Sequence, residues 1–142
     1  MRIVGFNYTK ILAEKEAPPI GKLNISMSLD IDSIEKQKLP AIGAVLKADF
    51  NFSIKYEKIA KLDFKGSIYF TAEEEKVREI MKKWKDKKVP DDIRVPLYNL
   101  ILTKSNIKAL ELEDEFGLPT HIPFPKIERP STQQQQEKSY VK

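Results

Sequence analysis

Cysteine is absent from this sequence of 142 residues, and histidine and tryptophan occur once each. Without cysteine the chain cannot form a disulfide, a thiolate metal site or a cysteine nucleophile, as is usual for a cytoplasmic protein. The five glycines are scattered, which excludes a glycine-rich phosphate loop. No apolar run approaches the ~20 residues that span a bilayer, and the start of the chain turns polar too soon for a signal peptide. We therefore expect a cytoplasmic protein without membrane insertion.

Charged residues, in contrast, are abundant. Lysine and arginine together number 25 and aspartate and glutamate 21, which gives a net charge of +4. Hydrophobic residues make up 41% of the chain, enough for one globular domain with one core. Because the balance is basic, an acidic molecule is one class of partner to consider.

Apolar and polar residues alternate through three stretches, at 23–32, 46–57 and 60–70. This period of two is typical of a strand with one apolar and one solvated face, and such strands form antiparallel sheets. The short gap at 57–59 predicts a hairpin between the last two strands. A less regular strand is predicted at about 2–13, before the prolines at positions 18 and 19. Together these stretches predict a four-stranded antiparallel sheet.

The period changes to that of a helix after residue 71. Residues 71–74 have the pattern of a capping box, and Pro90 is expected to end the helix that follows it. A second helix is predicted from about Pro96 to Phe116, with Gly117 as its stop. Beside the main stripe of this second helix, four further apolar residues widen the apolar coverage: Leu97, Leu100, Ile107 and Leu110.

These elements predict an α+β fold, a four-stranded antiparallel sheet followed by two helices. We expect one domain over residues 1–127 and a disordered polar tail over 128–142. The tail includes four consecutive glutamines, at 133–136, and has nothing to bury.

Side chains that could carry catalysis are few or dispersed. His121 lies between two prolines, and a lone loop histidine is more often solvated or hydrogen-bonded than a metal ligand. The acidic residues at 111–115 have the pattern of a solvated helix end. No serine occurs in a nucleophile elbow. We therefore expect no enzyme, no cofactor and no metal site.

The polar strand faces offer a different function. They carry Tyr69 and four lysines, at positions 47, 55, 61 and 65. A basic sheet with aromatic residues is one way of holding single-stranded nucleic acid, so this remains an alternative. Asp49 and Asp63 lie on the same faces, which favours an ordinary solvated surface.

The order of four strands and two helices resembles the SecB-like export chaperones. Gly117-Leu118-Pro119 is similar to the Gly-Phe-Pro or Gly-Leu-Pro turn that closes the long helix of that family. A proline-spaced apolar segment, 122–127, follows this turn as it does in the family. The prolines at positions 18 and 19 are similar to the crossover between the first two strands of the family. The chain also resembles uncharacterised archaeal proteins of similar size, as a distant member of the group.

The resemblance implies an ATP-independent holdase that keeps unfolded or dedicated partner polypeptides in apolar grooves, often as a homo-oligomer, a dimer or a tetramer. Protein export is one role of the family. Bacterial SecB is acidic where it docks on the SecA motor, whereas this chain is basic, so no SecA contact is implied. A structural subunit with one fixed partner is a further alternative.

Eight apolar residues are predicted to bind polypeptide: Ile20, Met27, Leu29, Leu39, Ile42, Leu118, Ile122 and Phe124. Core packing explains Met27 and Leu29 better than polypeptide binding does, because both lie on an alternating strand. The stronger candidates are residues of the expected loops and of the final apolar segment, because a core does not require them: Ile20, Leu39, Ile42, Ile122 and Phe124.

Overall fold

Four strands precede two helices in the computed structural model, which describes residues 1–129. The elements are β1 (Arg2–Lys15), β2 (Ile25–Leu39), β3 (Gly43–Tyr56), β4 (Ala60–Thr71), α1 (Glu74–Trp84) and α2 (Asp91–Phe116). This order confirms the predicted α+β fold with its four-stranded antiparallel sheet. From residue 130 onward, the predicted polar tail lies outside the described residues. Within residues 1–129, no helix combines the length and the apolar content that crossing a bilayer requires.

The strands lie in the order β1-β4-β3-β2, and every neighbouring pair is antiparallel. The central strands β4 and β3 form the predicted hairpin, in which the Ile59 N–H donates to the Tyr56 carbonyl at 3.1 Å. The strands β1 and β2 each pair on one side alone, so the sheet has two open edges.

One face of the sheet and the two helices enclose the core. The largest fully buried side chains come from β3, β4 and both helices: Tyr56, Phe50, Phe52, Phe64, Phe70, Leu46, Ile54, Leu62, Ile68, Ile80, Ile93 and Leu97. Their alternation along the two central strands is the pattern that predicted these strands.

The second strand is longer than the alternation predicted, since it continues to Leu39. Its register against β3 shifts between Ile31 and Ser33, so Asp32 is an extra residue. Beyond this irregularity the opposite set of residues faces the core, with Ile34 buried. The apolar period is therefore interrupted although the strand is not. Leu39, predicted to lie in a loop, is the last residue of the strand.

The first helix begins later than predicted. Glu73 is its N-cap and makes no side-chain capping bond, so the predicted capping box is wrong. Thr71 belongs to β4 instead. The helix also ends at Trp84, earlier than the predicted stop at Pro90.

The second helix begins at Asp91 and includes Pro96, which was predicted to start it. Its buried residues occur at every fourth position: Ile93, Leu97, Ile101, Ser105, Ala109 and Glu113. Because an α-helix has about 3.6 residues per turn, each step of four turns the buried position by about 40° around the axis. The buried stripe therefore winds around α2, and Val95 and Ile107 are left 47% and 60% exposed.

Gly66 marks a point in β4 where a side chain has no room. An added Cβ would collide with the Asn7 carbonyl oxygen and lie 2.7 Å from Cζ of Phe50. We expect Gly66→Ala to lower the free energy of unfolding by about 1–3 kcal/mol in a urea titration. At Gly5 the nearest atom, Cδ2 of Tyr69, would be 3.4 Å away, so Gly5→Ala serves as the control. Equal losses in the two variants would show that crowding at Gly66 is not the cause.

Candidate functional site

An apolar groove lies between the last turns of α2 and the segment that follows it, residues 117–124. Its volume is about 500 Å³. Four apolar side chains line it, together with polar residues and one glycine: Ile107, Leu110, Leu118, Phe124, Glu111, Glu113, Asp114, Thr120 and Gly117. Ile107 is 60% and Phe124 59% exposed, so the groove presents apolar side chains to solvent.

Gly117 reverses the chain at the end of α2, as the sequence predicted. Its φ of 65° lies in the left-handed region that glycine adopts without a steric penalty. The Leu118 N–H then donates to the Glu113 carbonyl at 2.9 Å, and the Leu118 side chain enters the core. This turn directs residues 119–124 back along the helix, where they form one wall of the groove.

A buried hydrogen-bond network fastens this returning segment to the helix and the sheet. The Glu113 carboxylate accepts a hydrogen bond from the Tyr56 hydroxyl and another, at 3.0 Å, from the backbone N–H of His121. The His121 ring is hydrogen-bonded to Glu113 Oε2 at 2.9 Å and to Asn106 Oδ1 at 2.8 Å. The side chains of Glu113 and His121 are 0% and 3% exposed. Glu113 was predicted to be solvated, and the structure shows that this expectation is wrong.

Because of this network, the contribution of Tyr56 to stability should depend on pH in the alkaline range. Burial raises the pKa of its phenol, and the hydrogen bond to Glu113 raises it further. An unfolded tyrosine ionises near pH 10 whereas folded Tyr56 does not, so the phenol's contribution to stability is complete below that pH and is lost above it. We expect the stability difference between wild type and Tyr56→Phe to change by up to about 1.4 kcal/mol per pH unit above pH 10. Urea titrations from about pH 8 to 11 measure this. Lysine titration affects both proteins and cancels, and a constant difference would contradict the expectation.

Three of the eight predicted polypeptide-binding residues lie in the returning segment. Leu118 and Phe124 line the groove, Leu118 at its base and Phe124 at its open side. Ile122 is partly buried in the same segment, and its carbonyl accepts the Thr120 hydroxyl at 2.8 Å. The structure thus brings these residues together, next to α2.

Met27 and Leu29 lie on the open edge strand β2. They are opposite Ile54 and Phe52 of β3, so they face the same side of the sheet as the core. Met27 is half exposed and Leu29 partly buried against the core. They form an apolar border to the sheet beside its open edge.

None of the other three predicted residues lines the groove. Leu39 and the exposed Ile42 lie at the β2–β3 turn. The exposed Ile20 lies in the β1–β2 crossover, whose ends bond to the β3–β4 turn through Glu16 and Asn24. These two turns are at opposite ends of β3, about 45 Å apart for a strand of 14 residues.

Ile107 and Leu110, by contrast, line the groove without having been among the predicted binding residues. Both lie on α2 outside its buried stripe. The sequence did contain a signal for them, since they were among the residues that widened the apolar coverage of the second helix. That signal indicated an extra apolar surface on the second helix, but it did not show that residues 117–124 would lie against this surface.

The polar face of the sheet is a mixture of both charges. Lys47 lies 3.7 Å from Asp49, and Lys10 lies 3.5 Å from Asp63. The Asp49 carboxylate also accepts the Ser33 and Ser67 hydroxyls. Nearby, burial and then the Asp30 carboxylate raise the pKa of Asp32. Within the described chain, no three histidine, aspartate or glutamate side chains cluster as a metal site. This face has the solvated, charge-balanced character of an ordinary surface.

Comparisons with known proteins do not give a family. No protein-family model and no curated protein matches the chain. Among solved structures, the chain is similar to the Mycobacterium tuberculosis Rv1957 SecB-like chaperone in complex with a ChAD peptide from the Rv1956 HigA1 antitoxin. The sequence identity is 16% and the TM-score 0.49, over 92% of each chain. Similarity at this level establishes neither family nor function.

Proposed function

We propose that this protein is an ATP-independent holdase that binds unfolded or partner polypeptides in the groove between α2 and residues 117–124. The observation that supports this most strongly is the pair Ile107 and Phe124, each more than half exposed on the lining of one apolar groove. An exposed apolar patch of this kind is typical of a binding surface.

The chemistry of the groove suits an unfolded chain. Covering an exposed isoleucine or phenylalanine with a client side chain contributes up to about 1.5–3 kcal/mol. Glu111, Asp114 and Thr120 add polar groups to the lining, and a polar rim around an apolar centre is usual in protein interfaces. Binding through apolar contacts of this kind requires no nucleotide.

The open edge of β2 supplies a second way of holding an extended client. Its unpaired backbone groups can add a strand, and Met27 and Leu29 lie beside them. Tyr56 connects the two surfaces, because it pairs with Ile25 of β2 and donates to Glu113 of the groove. We propose that a client chain contacts both.

The resemblance of the sequence to SecB-like chaperones supports the same function. It extends the proposal to a cytoplasmic homo-oligomer, a dimer or a tetramer, in which grooves of several copies act on one client. Protein export and the chaperoning of one dedicated partner are both compatible with a groove of this kind.

An aggregation assay tests the proposal. Light scattering of a slowly refolding protein, measured without nucleotide, should fall when this chain is added at a near-equimolar ratio. Because apolar contacts dominate, suppression should persist at high salt.

Phe124 offers a mild test, because it is 59% exposed on the lining of the groove. We expect Phe124→Ala to weaken client binding about tenfold, which corresponds to the loss of roughly 1.4 kcal/mol of apolar contact. The measurement is the concentration of chain that halves the aggregation signal. Ile127→Ala is the matched control, since Ile127 is 86% exposed and does not line the groove. Unchanged suppression by Phe124→Ala would remove this residue from the client site.

A further inference from the structure

The net positive charge of this protein is concentrated in one short segment. Residues 82–88, here called the lysine segment, contain five lysines and one aspartate, a net charge of +4. The whole chain has 25 basic and 21 acidic residues, so the remainder holds 20 of each and is balanced. The segment comprises the last residues of α1 and the start of its connection to α2.

These lysines are exposed and mostly lack acidic partners. Lys83 lies 3.7 Å from Glu79, but Lys82, Lys85 and Lys88 make no ion pair with any residue of the described chain. On the sheet, in contrast, several lysines have carboxylate neighbours. The negative end of the α1 dipole favours nearby cations, which accounts for Lys82 and Lys83. It does not account for the charges beyond the helix end.

The backbone supplies an independent observation at Lys87. The N–H of Lys88 donates to the Lys83 carbonyl at 3.1 Å and that of Lys87 to the Trp84 carbonyl at 2.8 Å, a Schellman motif. The left-handed residue of this motif is usually glycine, yet Lys87 occupies it with a φ of 60°. Local stability therefore favours glycine where the sequence has a cation, as happens when a position serves function.

A pocket adjoins the lysine segment. Its volume is about 330 Å³, and its lining combines apolar and cationic side chains, among them Trp84, Val89, Tyr98, Lys87, Lys88 and Arg94. The Lys87 ammonium lies 4.8 Å from the Trp84 ring centroid, and the Arg94 guanidinium 5.8 Å from that of Tyr98. Along α2, Arg94 and Leu110 of the groove are separated by about 24 Å, so the pocket is a separate site.

We propose that the lysine segment and this pocket dock an acidic polypeptide segment that carries one large apolar side chain. The lysines bind its carboxylates, and the pocket receives its apolar residue. Bases that stack need open aromatic faces, whereas Trp84 and Tyr98 already have cations of the protein over their rings. Lysine also lacks the planar fork with which arginine reads bases. This docking is independent of the client groove and gives the protein a second, electrostatic contact.

The test uses the full chain and a short fluorescent peptide of glutamates with one central phenylalanine. Fluorescence anisotropy should show binding that weakens strongly between about 0.05 and 0.5 M salt. The double change Lys85→Glu and Lys88→Glu should reduce affinity at least about tenfold. Its control is Lys22→Glu with Lys58→Glu, which gives the same net charge by changing two exposed lysines, one in the β1–β2 crossover and one in the β3–β4 turn. Equal losses in both double variants would overturn the proposal, because they would reflect total charge alone.

Lys87→Gly provides a test that misfolding cannot imitate. It should raise the midpoint of thermal unfolding, since glycine suits the left-handed position, while it weakens peptide binding. Unchanged binding by this variant would overturn a role for the Lys87 ammonium.

Replacing the peptide's phenylalanine by alanine should weaken binding, and an unchanged affinity would overturn the pocket's role. Tighter binding to a single-stranded oligonucleotide or to anionic vesicles than to the peptide would overturn the choice of partner. Failure of the client-groove assay would not affect these outcomes.

Discussion

Glu113→Ala is expected to destabilise the protein by about 3–5 kcal/mol. Glu113 is fully buried and binds the Tyr56 hydroxyl, the His121 backbone and the His121 ring. Removing its carboxylate leaves the Tyr56 hydroxyl, the His121 backbone N–H and Nδ1 of the His121 ring without their shared partner in a buried site. The returning segment should also detach from α2, because the same bonds hold it there. Urea unfolding followed by circular dichroism measures the loss of stability.

Glu115→Ala is the matched control for this experiment. The chemical change is the same, two residues further along the same helix, but Glu115 is exposed. An exposed position of this kind usually changes stability by less than about 0.5 kcal/mol. A loss of similar size in both variants would mean that helix propensity, not the buried network, governs the stability of this region.

Ile107→Asp is expected to remove most of the client binding while leaving the fold intact. Ile107 is 60% exposed, so the free protein tolerates a charge there. In the bound state the new carboxylate must be covered by client side chains, and the apolar contact is lost as well. We expect the affinity for an unfolded client to fall by about 10- to 100-fold.

Val95→Asp makes this test specific to the groove. Val95 is also a β-branched residue on α2, is 47% exposed and does not line the groove. Both variants change the net charge equally, and both should unfold at nearly the wild-type temperature. Comparable losses of client affinity in the two variants would indicate a diffuse surface effect and argue against the groove.

The sheet was predictable from the sequence because its central strands alternate without interruption. From Leu46 in β3 and throughout β4, every second residue is buried on the core face, so the period of two survives. In β2 the extra residue Asp32 moves the core-facing positions from one set to the other. A pattern based on period two ends at this point, although the strand continues to Leu39.

The hydrogen-bond network of the site was less predictable, because Tyr56 is distant in the sequence from Glu113 and His121. The turn at Gly117 and the apolar residues after it were predicted, and so was the excess of apolar residues on the second helix. Burial of Glu113 was not, since a carboxylate in an acidic run has the pattern of a solvated helix end. Its partner Tyr56 lies in β3, and the two meet solely through the way in which α2 crosses the sheet. The spacing of residues along the chain does not indicate how α2 crosses the sheet.

Photo-crosslinking can show where a client lies on this protein. Benzoylphenylalanine introduced at position 124 keeps an aromatic side chain at the groove, and the same residue at positions 95 and 55 samples α2 outside the groove and the polar sheet face. Irradiation with an unfolded client at high salt should give adducts from position 124 and few from the other two. Adducts formed equally from all three positions, or none from position 124, would show that the groove is not where polypeptides bind.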